Sequence, residues 1–145
     1  MATFKCNGVD ALDLTFEKMA NLSGDDLLRI IRPGAELLRE RLIEKVRAIF
    51  TQRSGSLANS FKLKERVWED GAGTSVLPMG KHPKSSTGRR RGKRRSNGSY
   101  QGTNAEVAFI LEYGSPRIGA THFMENTAEE SEQEVYNAMD AELTQ

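Results

Sequence analysis

Residues 105–125 read AEVAFILEYGSPRIGATHFME, and the fold turns on how this stretch is taken. Val107, Ala108, Phe109, Ile110 and Leu111 form a run of apolar, β-prone residues that ends at Glu112 and Tyr113. Gly114, Ser115, Pro116 and Gly119 then punctuate a turn, and a helical pattern begins near Phe123. A short apolar run bounded by turn residues reads as a strand, so the order expected is strand 105–113, turn, helix. On that reading Glu112, Tyr113 and Gly114 mark a sharp exit from a sheet. Pro116 serves turn geometry, and Phe123 anchors the last helix on the core.

Downstream, Met124, Ala128, Val135, Met139 and Leu143 lie close to one helical stripe, which predicts a helix from about Phe123 to Leu143. Its first half carries Glu125, Glu129, Glu130, Glu132 and Glu134, and acids there suit the positive end of the helix dipole. Upstream, residues 78–102 collapse into Gly, Ser, Pro, Lys and Arg with Tyr100 the one aromatic. Such a composition cannot build a core, and a long flexible basic loop is expected there.

Before that loop, Phe61, Leu63 and Val67 alternate with Lys62, Lys64 and Arg66, the period of a strand with one face inward. Trp68 falls on the charged face, where it would cover a neighbour or meet a partner. Residues 74–77 can pair back antiparallel beyond Gly71 and Gly73. A polar turn around Gly55 precedes the strand, with Leu57 tucked inward. Earlier still, Ala35, Leu38, Leu42, Val46 and Ile49 hold a 3.6-residue stripe, a long amphipathic helix to about Phe50. Leu27, Leu28, Ile30 and Ile31 form a helical run ahead of it, and Pro33 either starts a new helix or kinks a continuous one. Residues 2–7 suggest a first strand, and Asp10 caps a short helix carrying Leu12 and Phe16. The fold class expected is α+β: an antiparallel sheet of about three to four strands against a long central helix and a C-terminal helix.

The 145 residues fit one domain and can bury roughly 70% of the unfolded surface, so no staple is needed. Cys6 is the single cysteine, which excludes an internal disulfide and fits a reducing compartment. Nothing near Met1 resembles a secretory leader, and no apolar run approaches the ~20 residues of a membrane span. The net charge of +1 conceals segregation. Residues 71–105 hold no acid and eight cations, Lys81, Lys84, Arg89, Arg90, Arg91, Lys93, Arg94 and Arg95, leaving 13 cations against 20 acids elsewhere. A basic arm on an acidic body is implied. Such an arm neutralises phosphates without sequence preference, or orders against an acidic protein surface; the charge run alone does not choose.

Specific chemistry is thin. GSPRIGAT at 114–121 has the glycine spacing of a phosphate-binding loop, but Ala120 stands where the phosphate-reaching Lys must be, and Pro116 removes a backbone donor. His82 and His122 are the only histidines, and no pair of residues has metal-ligand spacing. His122 reads as a turn residue rather than a base, and Glu112 as a buried acid or a paired strand-end carboxylate. No serine sits in a nucleophile elbow. Neither an enzyme nor a cofactor is expected.

Two segments carry a family resemblance. TQRSGSLANSF at 51–61, after a long helix, resembles the "R-T-G-x-L-x-x-S-I" signature of the tail-completion (head–tail joining, neck) proteins of long-tailed bacteriophages and prophages. Phe109, Leu111, Glu112, Tyr113, Gly114 and Ser115, then His122, Phe123, Met124 and Ala128, resemble that family's second signature: an apolar strand ending "x-E-x-G-T", then "P-F-L-x-P-A" into the last helix. His122 stands where the family usually has Pro, and the 78–102 insertion is longer and more basic than usual. The resemblance implies a non-enzymatic virion part, assembled in the host cytoplasm. It would form a ring, commonly hexameric, between the tail tube or tail terminator and the head connector. The arm, Lys81 to Arg95, would then meet a neighbouring subunit or DNA in the lumen. The alternative is a small nucleic-acid-binding protein acting through that arm.

Overall fold

A computed structural model describes residues 22–50, 55–83 and 102–144. Helix α1 spans Gly24–Ile49, strands β1 and β2 span Phe61–Trp68 and Gly71–Pro78, helix α2 spans Asn104–Tyr113 and helix α3 spans Phe123–Leu143. A single 3-10 turn, Ala58–Ser60, leads into β1. The class is α+β, with helices packed on one antiparallel hairpin. The expected N-terminal strand and short helix lie outside the described residues.

The strand expected over 105–113 is a helix, and this leaves two strands among the described residues where three to four were expected. The reason is local. Thr103 caps the segment: its hydroxyl accepts the Glu106 amide at 3.2 Å, and the Glu106 carboxylate accepts the Thr103 amide at 2.8 Å. That reciprocal box satisfies two backbone donors and nucleates the first turn. An uninterrupted apolar run has no period to oppose it.

Helix α1 begins on a second capping box between Ser23 and Asp26, and it passes Pro33 as one helix of 26 residues, about 39 Å long. Leu28, Gly34, Ala35, Leu42 and Val46 are buried, whereas Ile49, the last residue of the expected stripe, is exposed. Gly34 is a packing residue: a Cβ there would sit 2.7 Å from Met139 Cε and 3.1 Å from Val135 Cγ1. Helix α3 therefore runs antiparallel along α1 at close range. Of the expected stripe, Met124 packs on the core and Val135 and Met139 pack on Gly34, whereas Ala128 and Leu143 are exposed; the fully buried residues of α3 are Phe123, Thr127 and Ser131. Thr127 and Ser131 remain satisfied in the interior because each hydroxyl donates to the carbonyl four residues back, at 2.6 Å. Their small volume lets the helices close up.

The hairpin pairs Phe61 with Pro78 through Trp68 with Gly71. One face carries Phe61, Leu63, Glu65 and Val67 toward α1; the other carries Lys62, Lys64, Arg66 and Trp68 away from it. The core collects Leu42, Val46, Leu57, Ala58, Phe61, Ala108 and Phe123, with Phe50 edge-on to Phe123 at 5.5 Å. Leu57 is buried as expected, after a turn in which Gly55 takes a φ of 63°.

Candidate assembly surfaces

Glu112 organises the connection between α2 and α3. Its carboxylate is buried and accepts the amides of Met124 (2.8 Å) and Glu125 (3.2 Å), so it caps α3 from a distant position in the chain. The Glu112 and Leu111 carbonyls accept the His122 and Thr121 amides, and Thr121 Oγ1 donates to Leu111 as well. Gly114 leaves α2 at φ 82°, where a Cβ would lie 2.8 Å from the Ala120 amide nitrogen, a backbone contact that cannot yield. Ser115 and Ile118 exchange backbone bonds across Pro116 and Arg117, closing the turn. His122 holds a left-handed conformation at φ 49° directly before α3.

This geometry gives a physical reason, beyond Ala120, against a phosphate site. The N-terminal amides of α3 that would hold an anion are already occupied by Glu112. Glu112, His122 and Glu125 bring one ligand atom each within 4.8 Å of one another. Both oxygens of Glu112 are committed to amides, however, and the site sits on the positive end of a helix, so a cation would be opposed there. Of the three, Glu112 serves as the cap, and the His122 ring lies 3.4 Å from the Glu125 carboxylate.

Helix α2 buries Asn104, Ala108 and Glu112, one line at four-residue spacing, packs Val107 and Leu111 against the core, and turns Phe109, Ile110 and Tyr113 outward. Phe109 is 62% exposed, Tyr113 63% and Ile110 39%, with the Phe109 and Tyr113 rings 4.8 Å apart. Ile118, on the following turn, is also exposed. Among the described residues these form an apolar surface of the kind that marks contact with another molecule.

Charge separates the helices from the sheet. Along the α1–α3 seam Lys45 meets Glu130 at 2.8 Å, Arg41 meets Glu134 at 2.8 Å and Arg29 meets Glu142 at 3.9 Å. Arg32 reaches the inward Glu65 through two bonds of 2.8 and 3.1 Å. That pairing raises the Arg32 guanidinium above its ordinary pKa and lowers the Glu65 carboxyl. On the outer sheet face Lys62, Lys64 and Arg66 are exposed, and among the described residues none of them forms an ion pair. Trp68 ends this row, half exposed, with its ring reaching over Gly73, where a Cβ would stand 3.0 Å away.

Of the expected arm, Lys81 is exposed and bridges to Thr103, and His82 is fixed by its amide to Gly102 (2.8 Å) and its ring to Asn104 Oδ1 (2.9 Å). Both ends of the insertion thus meet at one place on the body. Lys84, Arg89, Arg90, Arg91, Lys93, Arg94 and Arg95 lie outside the described residues. The sequence reading did not find the outward apolar face of α2; the Thr103–Glu106 box was the signal that could have revealed it. No family model matches the chain, and no curated protein or solved structure is significantly similar to it.

Proposed function

We propose that this chain is a structural assembly protein of the phage neck, a ring subunit that completes the tail and joins it to the head connector. The observation that carries the reading is the outward face of α2, which exposes Phe109, Ile110 and Tyr113 while Ala108, Val107 and Leu111 pack on the core. A helix whose largest apolar side chains face water is explained when a partner covers them. The two sequence signatures, the segregated charge and the absence of any catalytic grouping in the reading of the residues support the same role. The partners are further copies of the chain, commonly six in number for the family it resembles, together with the tail tube or tail terminator and the head connector. The role is non-enzymatic.

The test is recruitment. Wild-type protein is expected to form oligomers in light scattering or to be captured by native tail tubes. A Phe109→Glu/Tyr113→Glu variant should keep its fold, because both positions are exposed, and lose that capture. A wild type that stays monomeric across a wide concentration range and is not recruited by tail tubes sinks the proposal. A second reading, a nucleic-acid-binding protein acting through residues 81–95, is favoured by eight cations without an acid over residues 71–105. It requires affinity for duplex DNA that falls steeply with salt, and a flattened slope when Arg89, Arg90, Arg91, Arg94 and Arg95 become Ala.

A further inference from the structure

Two exposed faces among the described residues carry charge of opposite sign in rows of comparable length. The outer face of β1 sets Lys62, Lys64 and Arg66 at every second residue, a row of about 14 Å, with Trp68 closing it about 20 Å from Lys62. Opposite them on β2 stand Gly71, Gly73, Ser75 and Leu77, small or neutral, so nothing on that strand competes for the cations. Glu69 and Asp70 occupy the hairpin turn beyond Trp68.

On α3, Glu125, Glu129, Glu132, Tyr136, Asp140 and Leu143 recur at intervals of three and four residues, which places them on one outward stripe. All six are exposed. Glu129 and Glu132 have no ion-pair partner among the described residues, in contrast to Glu130 and Glu134 on the seam. From Glu125 to Glu132 the stripe covers about 10 Å, and Tyr136 follows at about 16 Å. Each face therefore sets a half-exposed aromatic after a charged row, Trp68 after the cations and Tyr136 after the first three acids, and the two rows have opposite sign.

We propose that the outer sheet face of one copy, Lys62, Lys64, Arg66 and Trp68, docks on the acidic outward stripe of α3 in a second copy. The inference rests on the ring reading and names one of its subunit contacts. The two patches are different surfaces of one chain, so the contact is heterologous: each copy offers one and accepts the other, and repetition of a single rotation closes a ring. Charge complementarity sets the register and hastens encounter, and the contact weakens as salt screens it.

The experiment uses full-length chains and sedimentation velocity at low and high salt. The first variant carries Lys62→Glu, Lys64→Glu and Arg66→Glu; the second carries Glu129→Lys and Glu132→Lys. Each alone presents like charges across the contact, and each should associate roughly a hundredfold more weakly than wild type. An equimolar mixture should recover association, because the acidic sheet face of the first meets the basic stripe of the second while their remaining faces pair as in wild type. A misfolded variant could not produce that recovery. A mixture that stays dissociated, or wild-type assemblies unchanged in both variants, overturns this contact while the ring stands. Loss of duplex-DNA affinity in the first variant with association intact overturns it too, and makes the sheet face a phosphate surface. Wild type that neither associates nor is recruited to tail tubes removes the ring reading itself.

Discussion

Along the α1–α3 seam nearly every charge is answered from within the chain, whereas among the described residues none on the outer face of β1 is. Lys45, Arg41 and Arg29 each find a glutamate on α3. The contrast narrows to a single strand: Glu65 turns inward and is held by Arg32, while its neighbours Lys64 and Arg66 turn outward and have no ion-pair partner among the described residues. The pleat that places successive side chains on opposite faces thus sorts one strand into an internal half and an external half. Paired charges fix how the helices and sheet sit on one another. Unpaired charges of one sign on a flat face are available to another molecule.

The strongest form of internal matching is Glu112, whose carboxylate is buried and shared between two amides of α3. Glu112→Ala should be the most damaging charge change in the protein. It leaves two helix-end donors without their acceptor, at a cost of about 2–3 kcal/mol. Glu112→Gln keeps one acceptor and should lose about half as much. Urea denaturation measures both; equal stability of the Ala variant and wild type would show that α3 does not depend on this cap.

The same residue shows what was legible. That Glu112, Tyr113 and Gly114 end an element, and that Phe123 begins another, could be read from the turn residues. The partner of Glu112 could not, because a cap supplied from another helix leaves no mark in local sequence. The nature of the element before it was legible but misjudged. Residues 107–111 carry an apolar run that fits a buried strand as well as a helix, and the Thr103–Glu106 box decides between them. The alternation in β1 was read correctly, because two faces with unlike surroundings leave a period of two. On α3 the span and part of the inward face were clear, since Met124, Val135 and Met139 pack inward, but Thr127 and Ser131 were not: they pack because they are small and satisfy their own hydroxyls, properties that hydrophobic spacing does not detect.

A pair of single substitutions sharpens the contrast between seam and sheet. Lys45→Ala removes a seam contact from a side chain 28% exposed, and should lower stability by about 0.2–1 kcal/mol. Lys64→Ala removes an outward cation with no ion-pair partner among the described residues, and should leave stability within about 0.5 kcal/mol of wild type. The order reverses when association is measured: Lys64→Ala should weaken it and Lys45→Ala should not. If Lys64→Ala proves the more destabilising to the isolated fold, the outer face is engaged by the chain itself and the contrast fails.

The smallest expected effect tests the link between the two regions. The Arg32 guanidinium, through its hydrogen bonds and charge, holds the Glu65 carboxyl below its ordinary value of 4.5. The folded state then releases that proton more readily than the unfolded chain does. The contribution is complete above the unfolded value near 4.5, and it is lost as pH falls through the lower, folded value. Asp26, lowered from 3.8 chiefly by the Ser23 hydroxyl, acts in the same direction slightly further into acid. Glu65→Gln removes the first of these groups and retains the shape of the side chain. Wild-type Tm should therefore fall more steeply than that of Glu65→Gln once pH drops below about 4.5, and the two should run parallel above it. Parallel curves throughout would mean that Arg32 and Glu65 do not tie α1 to the sheet in solution.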